Sequence, residues 1–316
     1  MKNINLKKIL KYIGNIITIL SIIFVVRVML SFNIDFSIIQ KKSLFITSLV
    51  LGTLIMGSSV FIIAYGWKII LAVLSNQSVN YSDASFVYVK ANMGKYLPGN
   101  VMHYVERNLF AGSLGLNQKA VLLSTVTEII GQVSVCSIPG IILLGRRVLP
   151  VLPEIIHIKY IIWFAVLICL LLIGIIIFKK EIKKFFTDIS IKVFLKAFSR
   201  AIPTYLAVVL LGGLVLVIIF TSTMNGGMSR NMGLSIVAAF TTAWVLGFVV
   251  PGAPGGIGVR EFVLLFLLRD MFPEPVILAC ILVHRMICIL GDVLAYSIVI
   301  LNRKNTNIER TVEKIK

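Results

Sequence analysis

The sequence predicts an all-α, polytopic helical membrane protein, and three observations predict it. Hydrophobic residues make up 58% of the 316-residue chain and charged residues only 14%, against about 25% charged in soluble domains. Several apolar runs approach or exceed the ~18–20 residues that span a bilayer. Two further apolar regions are broken by Pro-Gly and by charge, where a simple span would carry neither. The expected architecture is six full spans plus two re-entrant helical hairpins in inverted-topology halves. The chain then forms a single integral membrane domain, 1–316, in which half 1 covers 1–178, a basic amphipathic linker covers 179–200 and half 2 covers 201–316.

The net charge of +18 belongs to this topology. Lys and Arg cluster beside the apolar runs, where they set orientation and meet anionic headgroups. No basic module interleaved with aromatics stands outside the spans, so nucleic acid is not an expected partner. Cys136, Cys169, Cys280 and Cys288 all sit in apolar sequence without a C-x-x-C pair, as buried small hydrophobes do. His103, His157 and His284 have no metal-ligand spacing. No metal and no cofactor are expected.

Taken in order, Lys2, Lys7, Lys8 and Lys11 precede the run 12–32. That run is too long for a signal-peptide core and no cleavage site follows, so it reads as a retained first span with a cytoplasmic N-terminus. Arg27 near its far end can snorkel. The polar link 33–42 lies outside, and 43–66 returns as the second span, with Trp67 and Lys68 at the interfacial belt. Ser82 is placed to cap the next helix. Region 82–114 holds Asp83, Lys90, Lys95, Glu106 and Arg107, too much charge to span alone. Its centre, K-Y-L-P-G-N, stops a helix at Pro98 and reverses it at Gly99. It reads as a helix, a break and a second helix, or else as an amphipathic helix on the membrane surface.

Region 120–144 is a full span with Glu128 well inside it. A charge there costs about 2.5–3.5 kcal/mol, so Glu128 must face the bundle and find a cation or hold a proton. Arg146 and Arg147 follow on the outer side, against the usual bias, and 160–178 crosses back. Linker 179–200 carries seven Lys or Arg against Glu181 and Asp188. Region 201–220 is the next span, with Pro203 tolerated in its first turn. A polar outer loop, 221–232, leads to the second hairpin, 233–272. Its tip reads P-G-A-P-G-G-I-G, with Pro251, Pro254, Gly255, Gly256 and Gly258 marking the turn. The second arm, 261–272, is only about 18 Å of helix against a ~30 Å hydrocarbon core and cannot cross. Region 275–301 is the last span, and Arg303-Lys304 hold the C-terminus in the cytoplasm of a cell-membrane protein.

The halves match in plan. Each hairpin has Pro-Gly at its tip and an acidic–basic pair just after it, Glu106-Arg107 and Arg260-Glu261. They enter from opposite sides, the pattern of transporters whose substrate sites lie between broken helices. Arg285 and Asp292, seven residues apart on the last span, share a helix face about 10 Å apart and do not readily pair with each other. The candidate substrate-binding set is Lys95, Glu106, Arg107, Glu128, Arg260, Glu261, Arg285 and Asp292. Arginines suit phosphate, and the carboxylates orient them. The alternative is that these groups only hold broken helices together.

K-Y-L-P-G-N-V followed by Glu106-Arg107, Thr127-Glu128, P-x-x-P-G-G-I-G-V-R-E, and Arg285 with Asp292 resemble the lysylphosphatidylglycerol synthase transmembrane-region family, the flippase-like-domain membrane proteins. The resemblance covers essentially the whole chain. It implies re-entrant helices around a polar cavity and a link to lipid movement between leaflets. A stand-alone member is expected, without the soluble aminoacyl-transfer domain of the full-length synthase. The expected function is a lipid flippase or translocase for an anionic phospholipid or polyprenyl-linked glycolipid in the cell envelope, a transporter rather than an enzyme. Membrane lipids are the expected partners, with envelope-polysaccharide or glycolipid enzymes as further candidates. Two alternatives stand beside it: a membrane-embedded lipid-phosphate transferase or hydrolase with Glu261 or Asp292 as general base, and a non-catalytic scaffold of an envelope polysaccharide complex.

Overall fold

A computed structural model describes residues 39–97, 101–148, 190–224, 226–249 and 258–315, and among them all regular structure is helical. Eight α-helices follow in order: α1 (Lys42–Ser75), α2 (Tyr81–Asn92), α3 (Met102–Ser113), α4 (Gln118–Val148), α5 (Ile191–Ser222), α6 (Arg230–Val249), α7 (Val259–Leu268) and α8 (Glu274–Ile315). A 3₁₀ turn, Met93–Tyr96, extends α2. Local chemistry sets several starts. The side chain of Asn80 accepts from Ser82 N at 2.8 Å, Asn117 from Ala120 N at 3.2 Å, Ser190 from Lys192 N at 3.2 Å and Ser229 from Met232 N at 3.2 Å. Each satisfies one of the amides that a helix start leaves open. The cap of α2 is thus Asn80, not Ser82, whose own amide is the donor.

Among the described residues five helices are long and apolar enough to cross a membrane: α1, α5, α6, and the segments Gln118–Ile142 of α4 and Glu274–Arg303 of α8. The helices α2, α3 and α7, of 12, 12 and 10 residues, are too short. At 1.5 Å per residue they reach about 15–18 Å. The expected spans 12–32 and 160–178 lie outside the described residues, as do linker positions 179–189 and the tip residues Pro98, Gly99, Pro251, Pro254, Gly255 and Gly256.

The short helices are positioned by the ends they share. The backbone amide of Lys41, just before α1, donates to Ser222 O at the end of α5, 2.9 Å away. Phe272, after α7, packs on Phe220 of α5 at 4.6 Å between rings. The foot of α7 therefore lies at the end of the bundle where α6 begins. At the opposite end, Arg303 of α8 pairs with Asp83 of α2 at 3.1 Å. There Trp67 and Leu71 of α1, Ala84 and Val87 of α2, Phe110 and Ala111 of α3, and Ala120 and Val121 of α4 form one buried cluster. So α2 starts and α3 ends on one side, while α6 starts and α7 ends on the other. Between them α1, α5 and α8 cross closely, with no room for a side chain at Gly57, Gly66 or Gly291.

Two expectations need correction. Trp67 does not sit at a membrane interface: α1 continues nine residues past Gly66, and Trp67 is fully buried, donating from Nε1 to Ser124 Oγ at 2.8 Å. The indole has an internal acceptor and so needs no headgroup. Residues 191–200 do not form a separate surface helix. They are the first turns of α5, a continuous helix of 32 residues capped by Ser190. Nothing between Ser190 and Pro203 breaks a helix, and Pro203, expected in a first turn, stands instead inside this helix, where it has no amide to give to the Ser199 carbonyl.

Candidate functional site

The short helices meet the long ones around a cavity of about 220 Å³. Its polar lining comes from the end of α2, the 3₁₀ turn, α3, α4, α7 and α8, and its apolar lining includes Met56, Ile63, Val209, Phe240, Ile281 and Ile289. Asp292 is the meeting point of one side. It is 4% exposed and receives three donors from the first short segment: Lys95 Nζ at 2.7 Å, Asn92 Nδ2 at 2.8 Å and the Tyr96 hydroxyl. Gly94 lets the returning helix α3 pack against this turn. A Cβ at Gly94 would stand 2.9 Å from His103 N and 3.2 Å from Glu106 Oε2.

The second short segment attaches two turns away on the same helix. Gly258 takes φ +88°, a left-handed conformation open to glycine. Its amide donates to Glu261 Oε2 at 2.6 Å, the reach-back bond of a capping box. The other oxygen of Glu261 accepts from Arg285 Nη1. One carboxylate thus starts α7 and fastens it to α8.

Arg260 is built differently. Its guanidinium lies 5.7 Å over the Trp244 ring, which stacks on Phe248 at 5.2 Å with 8° between planes. Its stem fills a slot made by Gly247, where a Cβ would come within 2.4 Å of Arg260 Cγ. Arg260 Nε has no hydrogen-bond partner, and among the described residues no carboxylate pairs with this cation. Burial, and after it the positive Arg285, pull its pKa down to about 10. It remains charged at neutral pH.

Glu128 reaches the cavity from α4, and the cation it requires is Arg107. Arg107 Nη1 donates to Glu128 Oε2 at 2.5 Å, the Tyr88 hydroxyl donates to Oε1 at 2.7 Å, and Gln132 Nε2 to Oε1 at 3.2 Å. Arg107 is 1% exposed and lies against the rings of Tyr88, Trp67 and Tyr104 at 4.1, 5.4 and 5.5 Å. A fully desolvated pair survives in such a place only when its remaining groups are satisfied, and this one nearly is. On the last helix His284 Nε2 donates to the Gly212 carbonyl at 3.0 Å. In the neutral ring Nδ1 is then left to accept from the Cys288 thiol at 3.6 Å.

Of the eight expected site residues, Lys95, Glu128, Arg260, Glu261, Arg285 and Asp292 line the cavity. Arg107 lies behind Glu128, out of reach of the cavity. Glu106 is fully buried away from it, with neither carboxylate oxygen hydrogen-bonded. Burial, opposed only by Lys90, pushes its pKa up to about 8. The neighbours Glu106 and Arg107 thus serve different places although they adjoin in sequence. Of the tip residues, Gly258 alone falls among the described positions. Sequence reasoning missed Asn92, Tyr96, Tyr88 and Gln132 as the neutral donors that complete the acids. For the first two the available signal was position: Asn92 lies one helical turn before Lys95, and Tyr96 directly follows it. Neither a protein-family model nor a curated protein matches this chain.

Proposed function

We propose that this protein is a lipid translocase that admits an anionic headgroup into the cavity while the acyl chains stay in the bilayer. The carrying observation is the cavity itself: charged and apolar side chains line one space of about 220 Å³, as an amphiphile needs. In this reading α2 with α3, and α6 with α7, are two re-entrant hairpins that enter from opposite leaflets. The shared ends of each pair support it, and the resemblance to flippase-like-domain proteins agrees with it. Helix α6 begins and α7 ends at the same end of the bundle, beside the end of α5, so in this reading the pair returns to the side it came from. The chain is then a multi-pass protein of the cell membrane, with the Arg303 end cytoplasmic, where basic residues collect.

Phosphate would meet Arg260 first, with Arg285 and Lys95 reached by loosening their pairs to Glu261 and Asp292. General-base chemistry at Glu261 or Asp292 fits less well, since each carboxylate already accepts from a cation. The test is reconstitution: fluorescent phospholipid in proteoliposomes should change leaflet at least about tenfold faster than in empty vesicles, the effect of lowering the barrier by about 1.4 kcal/mol. Folded protein that gives no acceleration for any phospholipid sinks the reading.

A further inference from the structure

We infer that the ligand of this cavity carries one net negative charge, as a phosphodiester with an uncharged hydroxylated headgroup, and that Arg260 is the residue that meets it. The inference rests on the translocase reading and narrows its substrate.

The acids of the lining are already matched by cations. Asp292 is bound by Lys95, Glu261 by Arg285, and Glu128 by Arg107. Each acid has its own cation, and each of these acids takes further neutral donors or a backbone amide besides. Arg260 is the cation for which the described residues offer no carboxylate. An unmatched charge held largely away from bulk water is stabilised by a ligand that supplies the opposite sign. The surroundings fix this guanidinium in place, with the Gly247 slot behind its stem and the Trp244 ring against its face. Its preorganised fork suits the two free oxygens of a phosphodiester.

The same balance excludes other headgroups. A zwitterionic or aminoacylated headgroup brings an ammonium, and no carboxylate on the wall is open to receive it. It would leave Arg260 and the ammonium competing for one phosphate. A hydroxyl needs only neutral partners. His103 offers one: it lines the cavity, is 8% exposed, and its Nδ1 has no partner. Burial, then Arg107 and Lys95, hold its ring well below the usual histidine range, so it is neutral and can exchange hydrogen bonds with a hydroxyl.

Binding can be read apart from transport through Cys288. It lines the cavity and is partly exposed, whereas Cys136 and Cys280 are 2% and 1% exposed. In detergent-solubilised protein carrying Cys169→Ser, the rate of Cys288 alkylation by a maleimide is measured with dihexanoyl phosphatidylglycerol or dihexanoyl phosphatidylethanolamine added. The first should protect at concentrations about tenfold lower than the second, the size of one lost charge-assisted hydrogen bond. Glycerophosphoglycerol, the same headgroup without chains, should protect more weakly, which separates a lipid from a free phosphodiester. Arg260→Gln should remove the preference, and Arg260→Lys, which keeps the charge, should retain the ranking at lower affinity. Equal protection by the two lipids overturns the inference, and so does a ranking that survives in folded Arg260→Gln or vanishes in folded Arg260→Lys. Protection without transport in vesicles would sink the translocase reading and leave the charge assignment standing. Transport without headgroup preference would do the reverse.

Discussion

At the scale of single residues the interior acids divide by what surrounds them. Glu128 and Asp292 are buried and fully bonded, while Glu106 is buried and bare. In the folded chain Glu106 keeps its proton until about pH 8, whereas unfolded it ionises near its ordinary 4.5. Between those values the unfolded chain has released a proton that the folded chain retains, so folded stability falls as pH rises through that window and levels off above it. Glu106→Gln should match the wild type at pH 4.5 and melt at a higher temperature at pH 8. Scanning calorimetry in detergent at the two pH values checks this, and a melting difference independent of pH would contradict it. The charged residues of the site could be read from the sequence because a charge inside an apolar run needs a reason. Their pairing could not. Glu106 and Arg107 are chain neighbours yet point to different clusters, and Arg107 finds Glu128 across 21 residues. Neutral donors such as Asn92 and Tyr96 carry no such signal, because either residue is unremarkable at a helix end.

At the scale of elements the bundle is set by close helix crossings. Without a hydrophobic drive between helices in lipid, association depends on packing, and small residues let backbones approach. At the crossing of α1 and α8 backbone meets backbone. A Cβ on Gly291 would stand 2.7 Å from Gly57 N and 3.0 Å from Met56 C, backbone atoms that cannot turn aside. Gly291→Ala should therefore lower stability by about 1–3 kcal/mol. Gly233→Ala, whose nearest neighbour would be Val217 Cγ1 at 3.8 Å, should cost little. Melting curves of the two variants side by side decide it. Long apolar helices were legible from run length alone, and the shortness of 261–272 excluded a crossing there. The ends were less legible. Nothing in Trp67–Ser75 distinguishes a helix that stops at an interface from one that runs on into a buried cluster, because both are apolar and aromatic.

At the scale of the molecule the outer surface is as informative as the cavity. Leu206, Leu210 and Leu214 recur every four residues on α5 and are 36%, 40% and 47% exposed, a row that faces outward. In a bilayer this row meets acyl chains, and an arginine near its middle costs about 2.5–3.5 kcal/mol of insertion. Leu210→Arg should sharply reduce the membrane-inserted yield while Leu210→Phe preserves it. Equal yields would mean that this face is covered by something other than lipid. Helix α8 ties the whole together. It carries Arg285 and Asp292 two turns apart, one gripping Glu261 of α7 and the other gripping the 3₁₀ turn after α2. A single rigid rod therefore holds a rope in each hand. A pull on either rope is felt by the rod that holds the other. In the translocase reading, the two short arms therefore share one anchor and are mechanically coupled through it.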